Sequence, residues 1–160
     1  MSALHIEKGG FLKVHLCPAA AEVAGRLQVR IMSEHVTAVP LPPEALHVTV
    51  CSFGSLKPHR AAAKAWLGRE KELPIPPCTT LVQSAQLQMI DDRCSWACRL
   101  EDQARWHDWR MALMVAMGIP LPIDEERVFH LSLCNKDGSS FSSVGPAFEP
   151  MTGQGLRIDI

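Results

Sequence analysis

The sequence predicts an α+β fold with two similar halves, each built from strands and a helix. Strand-like segments, in which apolar and polar residues alternate, follow one another along the chain with alanine-rich or amphipathic helical segments between them. The pattern apolar-His-apolar-(Thr/Ser)-apolar occurs twice, in the apolar runs 45–51 and 128–134. Each of these runs follows a strand and then a helix, so the order of elements repeats weakly, which is typical of an α+β fold.

Size and charge favour one domain that handles a small ligand. A chain of 160 residues predicts a single domain over 1–160. The net charge of −1 provides no global positive field for long nucleic acid. No apolar run approaches the roughly 20 residues of a membrane span, and no secretory signal is recognisable at the N-terminus. We expect a cytoplasmic protein with no membrane partner; its oligomeric state stays open.

The six cysteines predict buried reduced thiols. Most lie in apolar strand-like runs, and their spacing is not that of a small secreted domain held by disulfides. A zinc site formed by Cys94, Cys98 and His107 is disfavoured. Residues four apart on a strand lie about 13 Å from each other, and no second cysteine pair completes a tetrad.

The first half contains two predicted strands, at 11–17 and 45–53. Pro18 and the alanines after it predict a helix to about Met32. The segment 33–44 holds three prolines and predicts a loop. A second helix is predicted over 59–71, before a proline-rich connector that cannot be helical.

The second half repeats this order. A strand over 79–90 and a partner over 94–100 form a predicted hairpin across a turn at 91–93. A third helix is predicted over 102–117, with Trp106 and Leu113 on its apolar side and Gly118 ending it. The second motif strand spans about 128–135, and a last strand is predicted at 155–160.

The spacing inside each motif places two polar side chains on one face. Residues two apart on a strand point the same way. His47 and Thr49 therefore share a face, as do His130 and Ser132, while aliphatic neighbours point to the other side. A polar side chain in a central strand needs a partner or water. Two such faces across a common cleft supply two imidazoles and two hydroxyls to one small volume.

That set of groups suits phosphoryl transfer without a metal or any other cofactor. One neutral imidazole takes a proton from an attacking water or ribose 2′-hydroxyl, and the other, protonated, gives one to the leaving oxygen. The two hydroxyls donate to phosphate oxygens as charge develops. An ordinary histidine pKa of about 6.5 lets the two share this work near neutral pH.

The paired motifs resemble those of the 2H phosphoesterase superfamily, and the element order resembles that family over essentially the whole chain. The resemblance implies a bilobal fold with two antiparallel sheet-plus-helix lobes around a central cleft. It also implies that His47 and His130 are the acid/base pair and that Thr49 and Ser132 bind phosphate. The second motif has Ser where Thr is commoner, which keeps the hydroxyl donor.

The resemblance implies a nucleotide or short oligonucleotide substrate and leaves its identity open. The family includes 2′,3′-cyclic phosphodiesterases of the LigT type, 2′-5′ oligoadenylate phosphodiesterases, and phage nucleases that degrade cyclic di- and trinucleotide immune signals. The chain is short beside LigT-type enzymes, as phage-encoded members often are. A non-catalytic nucleotide-binding module is the alternative from another class.

Four further residues are candidates for substrate binding. Lys13 and His15 share a face of the first predicted strand. Arg99 lies on the second strand of the predicted hairpin, and both Lys13 and Arg99 are candidates to bind a substrate phosphate. The competing interpretation is a charge on an edge strand or a solvated arginine. The chain has no Tyr, and Trp96 is the tryptophan best suited to stack a base, although core packing competes.

A third match to the short pattern occurs at 35–37, where His35 is followed by Val36 and Thr37. It lies just before the proline-rich segment and lacks a sustained apolar run on both sides. We therefore expect it to be a coincidence.

Overall fold

The computed structural model describes residues 3–51, 53–77, 84–90, 93–100, 102–120 and 127–139. Its strands are β1 (Ala3–Ile6), β2 (Leu12–His15), β3 (Val39–Pro40), β4 (His47–Thr49), β5 (Ser84–Ile90), β6 (Arg93–Arg99) and β7 (His130–Asn135). Its α-helices are α1 (Pro18–Glu34), α2 (Phe53–Leu56), α3 (Arg60–Lys64) and α4 (Gln103–Met117). The fold is α+β, as the sequence predicts.

The described strands form one antiparallel sheet in the order β1-β2-β4-β7-β6-β5, with β3 beside β7. Three strands from the first half meet three from the second where β4 pairs with β7. The recorded register at this junction is the single pair Val48 and Leu131. The two predicted halves are therefore joined edge to edge, through the two motif strands themselves.

One face of this sheet is the hydrophobic core. Across the strands, Leu4 lies opposite Val14, Val14 opposite Val48, Val48 opposite Leu131, and Leu131 opposite Cys98. All five are buried. Because residues directly opposite each other share a face, this apolar row forces the flanking residues of every strand onto the other face.

Helix α1 covers the apolar face. It begins at Pro18, whose fixed φ and missing N–H suit a first helical turn. Its buried side chains recur at spacings of three and four, as one stripe of a helix requires. Among them Ala24, Leu27 and Ile31 belong to the same core cluster as Val48. The helix runs slightly past its predicted end.

Helix α4 is capped at both ends, and its C-terminal cap is the glycine that the sequence predicts. The Asp102 side chain accepts a hydrogen bond from the Arg105 N–H at 3.3 Å. At the other end Gly118 takes a left-handed φ of 71°, which glycine adopts without strain from a side chain. The apolar stripe is buried, and the Trp106 ring lies 5.4 Å from that of Phe129.

Two predicted elements of the first half are wrong in extent. The strand predicted over 45–53 is limited to β4, because a 3₁₀ turn precedes it and α2 begins at Phe53. The single helix predicted over 59–71 is instead the short α3 between 3₁₀ turns. Gly68, at a φ of 78°, breaks the helical path that the alanines favour.

Other differences concern strands. β1 was not predicted, and β3 lies within the segment predicted as a loop. β5 begins at Ser84, whereas the prediction began at 79; residues 79–83 lie outside the described part. Arg93, placed in the turn, belongs to β6. The strand predicted at 155–160 also lies outside the described residues.

Cys17, Cys51, Cys98 and Cys134 are all buried, as their apolar surroundings predict. Burial raises the pKa of Cys134 to about 11 and raises that of Cys98 as well, so both thiols stay protonated at neutral pH. The side chains of Cys78 and Cys94 lie outside the described residues. None of the helices in the described ranges is long and apolar enough to cross a membrane.

Candidate functional site

The junction between β4 and β7 brings the two motifs together. Val48 lies opposite Leu131 on the apolar face. Continuing that antiparallel register by one residue on either side places His47 opposite Ser132 and Thr49 opposite His130. Each imidazole therefore faces the hydroxyl of the other motif, and all four groups share the polar face of the sheet.

The two imidazoles are diagonal neighbours in this arrangement. Such diagonal positions on adjacent antiparallel strands lie about 7–8 Å apart. That separation leaves room for a phosphoryl group between the rings, with one hydroxyl on either side. His47, Thr49 and Ser132 are partly exposed, whereas His130 is 8% exposed. The polar face is thus open to a ligand at His47, Thr49 and Ser132 and more enclosed at His130.

The two histidines are anchored in the same way. The Nδ1 of His47 lies 2.7 Å from the carbonyl oxygen of Ala45, and the Nδ1 of His130 lies 2.9 Å from that of Val128. A carbonyl oxygen can only accept, so each Nδ1 carries the proton and donates it. The Nε2 of each neutral ring is then left with its lone pair, as a general base requires.

Burial lowers the pKa of both motif histidines. The pKa of His130 falls to about 4, through burial first and then the positive charge of Arg127 and the nearby His47; the hydrogen bond to Val128 opposes this. The pKa of His47 is also lowered, again mainly by burial, with Lys13 and Arg127 contributing. Both rings are consequently neutral in the free protein near pH 7.

Lys13, His15 and Arg99 lie on the same polar face as the motifs. β2 places Lys13 opposite Thr49 and His15 opposite His47. On the other side, β6 places Arg99 opposite His130. One row across four neighbouring strands therefore runs from Lys13 through Thr49 and His130 to Arg99. The Arg99 side chain is exposed, and the Lys13 ammonium is paired with the Glu7 carboxylate.

Trp96 is placed differently from the other candidates. It is 5% exposed and belongs to the hydrophobic core cluster. Its ring packs 5.5 Å from the ring of His35, and the register of β6 shifts directly after it. The structure therefore favours core packing over base stacking as the role of Trp96. His35 itself follows the end of α1 rather than lying in a strand.

Two residues at the site were not singled out from the sequence. Phe11 immediately precedes β2, and its ring lies edge-on to that of His47 at 6.3 Å. The alternation of β2, which groups Phe11 with Lys13 and His15, was a usable signal.

Arg127 is the other such residue. Its Nε donates to the carbonyl oxygen of Thr49 at 3.1 Å, which ties the segment before β7 to the end of β4. Its charge lowers the pKa of both motif histidines, so the guanidinium lies within electrostatic reach of both rings. The sequence before it has no periodicity, and no local pattern could have placed Arg127 there.

Two glutamines hydrogen-bond the backbone of the β7 segment, one just before and one just after the second motif. The Gln103 Nε2 donates to the carbonyl oxygens of Leu100 at 2.6 Å and Phe129 at 2.8 Å, and its Oε1 accepts from the Phe129 N–H at 2.8 Å. The Gln28 Nε2, on α1, donates to the carbonyl oxygens of Leu41 at 2.8 Å and Leu133 at 2.7 Å. These contacts flank His130 and Ser132 and fix the strand that carries them.

Comparison with known proteins leaves the interpretation to this geometry. No family model, no curated protein and no solved structure matches the chain. Within the described ranges, no three His, Cys, Asp or Glu side chains are grouped so that they could hold a metal ion.

Proposed function

We propose that the chain is a metal-independent phosphodiesterase that acts on ribonucleotide phosphodiesters by general acid–base catalysis at His47 and His130. The observation that supports this best is the reciprocal arrangement of the motifs. Each histidine is anchored through Nδ1 to the carbonyl two residues before it and faces the hydroxyl of the other motif. A structural histidine pair would not need this double correspondence.

In the proposed reaction His130 is the base and His47 the acid. His130 is the more deeply buried ring and keeps its Nε2 lone pair to the lowest pH. It removes a proton from a water molecule, whose oxygen attacks the phosphorus of a 2′,3′-cyclic phosphate. His47, protonated when the anionic substrate binds beside it, gives its proton to the departing ribose oxygen. One P–O bond forms, one breaks, and the two imidazoles exchange protonation states.

The two hydroxyls stabilise the charge that develops during this step. Thr49 and Ser132 lie beside the diagonal formed by the two rings and donate to the non-bridging phosphate oxygens. For a linear or cyclic oligonucleotide, the free ribose hydroxyl beside the phosphodiester (2′ in a 3′-5′ linkage, 3′ in a 2′-5′ linkage) takes the place of water; the 5′-oxygen of the next nucleotide leaves, and a cyclic phosphate forms first. The same site then hydrolyses that product.

The bilobal 2H fold is part of the proposal. The two three-stranded groups that meet at β4 and β7 correspond to the two lobes, and the polar face over their junction corresponds to the cleft. The pairing of Val48 with Leu131 supports a shallow site in which the motif strands are direct neighbours.

Turnover assays with excess EDTA test the function. The substrates are nucleoside 2′,3′-cyclic phosphates, short 2′-5′-linked and 3′-5′-linked oligonucleotides, and cyclic dinucleotides. The expected result is cleavage that EDTA leaves intact and that His47→Asn and His130→Asn each abolish. Asn keeps a donor for the backbone carbonyl and removes Nε2, so folding is preserved.

His35→Asn is the matched control, because His35 has the same local sequence pattern but lies outside the site. Full activity is expected for it. Binding of nucleotides without product would support a non-catalytic binding module instead. Inhibition by EDTA, or unchanged turnover in both motif variants, would contradict the proposal.

A further inference from the structure

The β1–β2 ribbon extends the polar face beyond the two motifs. His5 lies opposite Lys13 across this ribbon, and its ring meets the ring of His15 edge-on at 5.3 Å between centroids. Two imidazoles and one ammonium are therefore gathered on the face where His47 lies, one to two strands away from it. We call these three residues, His5, Lys13 and His15, the ribbon cluster.

A carboxylate already occupies the ribbon cluster. Glu7, in the turn after β1, forms an ion pair with Lys13. The hydrogen bond from Lys13 lowers the pKa of this carboxyl, and the charges of His5 and His47 also contribute. Glu7 thus contacts the cluster and lies within electrostatic reach of His47. Its side chain is 43% exposed, whereas that of Lys13 is 16% exposed, so the carboxylate is the partner that can leave.

We propose that the ribbon cluster is a second anion subsite, which takes a phosphate group next to the scissile phosphodiester and is occupied by Glu7 in the free protein. This inference rests on the proposed function and names its substrate class: ribonucleotides with at least two phosphate groups. Neighbouring strands are about 4.8 Å apart, which puts Lys13 and His15, on the strand beside β4, roughly 7 Å from the middle of the β4–β7 junction. Adjacent phosphates of one short oligonucleotide can span that distance.

The chemistry of the cluster favours phosphate over the carboxylate. A phosphodiester offers two non-bridging oxygens and a terminal phosphate three, and each oxygen can accept more than one hydrogen bond, enough for the Lys13 ammonium and the N–H groups of both imidazoles at once. Glu7 accepts from Lys13 through Oε1. A phosphate therefore gains donors that Glu7 leaves unused, and the displaced carboxylate returns to water from a position where it is already partly exposed.

The direct test is binding of inorganic pyrophosphate, measured by calorimetry and by the shifts of the imidazole NMR signals of His5 and His15. Glu7→Gln is expected to bind about tenfold more tightly than the unmodified protein, and His15→Gln and Lys13→Gln more weakly. Glu22→Gln is the matched control. Glu22 also has a basic partner, Arg26 at 3.9 Å, but lies on α1 at the apolar side of the sheet, so unchanged binding is expected.

Weaker or unchanged binding in Glu7→Gln, or signals of His5 and His15 that do not move, would overturn the proposal. This assay needs no turnover, so it separates the subsite from the proposed function. If pyrophosphate binds as expected but no substrate is cleaved, the subsite stands and the phosphodiesterase fails.

A second measurement compares two substrates of the active protein. The kcat/KM for a dinucleotide ending in a 2′,3′-cyclic phosphate is expected to exceed that for the mononucleotide about tenfold. His5→Gln should reduce this preference. Equal kcat/KM for both substrates in the unmodified protein would contradict a second phosphate subsite.

Discussion

The side-chain amide of Gln103 hydrogen-bonds both the N–H and the C=O of Phe129, the residue directly before the second motif histidine. A glutamine from α4 thus adds to the backbone bond from the Leu100 N–H to the Phe129 carbonyl at the point where β7 begins. The ring of Phe129 is fully buried. The His130 imidazole hydrogen-bonds the carbonyl oxygen of Val128, which directly precedes Phe129. Gln103 therefore holds the segment that orients this imidazole.

Replacing Gln103 with Met should therefore weaken both the fold and the reaction. The substitution leaves the Phe129 N–H without its partner, whereas the Phe129 C=O keeps the Leu100 N–H at 3.1 Å; an unpaired buried polar group costs about 1–3 kcal/mol. We expect a fall of this order in the free energy of unfolding, measured with denaturant. We also expect kcat to fall more than KM rises, because the substitution disturbs the orientation of His130 and leaves the ribbon intact.

Gln103→Glu is the matched comparison. It keeps the acceptor for the Phe129 N–H and loses the two donated bonds, so an intermediate result is expected. A loss of stability with kcat unchanged at the pH optimum would make Gln103 a purely structural residue.

Acid should destabilise the protein through His130. An unfolded histidine has a pKa of about 6.5, and the folded pKa of His130 is about 4. The unfolded chain therefore binds the proton first, so this contribution is fully present above pH 6.5 and is lost as the pH falls towards 4. The difference approaches roughly 3 kcal/mol at pH 4.

Denaturant midpoints measured between pH 4 and pH 7 test this, with His130→Asn as the comparison. Other histidines with lowered pKa values contribute to the slope in both proteins, and only the unmodified protein has the His130 component. Identical pH slopes in the two proteins would contradict the buried neutral imidazole.

The hydroxyls should matter to the rate more than to the fold. Thr49→Ala and Ser132→Ala each remove one donor to the phosphate, and removal of one such donor typically costs about 10²–10³ in kcat. Thr49→Ser and Ser132→Thr keep the donor and are expected to stay within about tenfold of the unmodified protein. Steady-state kinetics on a nucleoside 2′,3′-cyclic phosphate measures all four. Equal losses in the conservative pair and the alanine pair would indicate packing, not phosphate contact.

The pH dependence of kcat/KM should lie on the acid side and should respond to Arg127. Both motif histidines have a lowered pKa in the free protein, partly because of the Arg127 charge. A bell-shaped profile with its maximum between about pH 4 and pH 6.5 is expected. Arg127→Gln removes the charge, so both limbs should move to higher pH.

Imidazole NMR titration of His47 and His130 provides a reading that does not depend on activity. Arg127→Lys keeps the charge and should move the two pKa values less than Arg127→Gln does. A maximum of kcat/KM above pH 7, or pKa values unaffected in Arg127→Gln, would contradict this account.

Much of the local structure follows from the sequence. The alternation in β4 and β7 determines that His47 shares a face with Thr49 and that His130 shares one with Ser132. The same alternation places Lys13 beside His15. Asp102 and Gly118 mark the ends of α4 because capping depends on residues close in the chain.

The alanines around α3 predict a longer helix than the structure contains. Helix propensity, like capping, reflects only residues close in the chain. Propensity is a weak local preference, and Gly68 with the tight turns beside it overrides it.

Only the tertiary structure decides which faces meet. Period and propensity say which side chains share a face of one strand, but strand order and register come from long-range packing. The pairing of Val48 with Leu131 turns two separate motifs into one site. The same long-range packing buries Trp96 and sets Gln103 against Phe129. It also brings Arg127 to the end of β4. No local sequence pattern encodes such contacts, because the segments that meet are far apart along the chain.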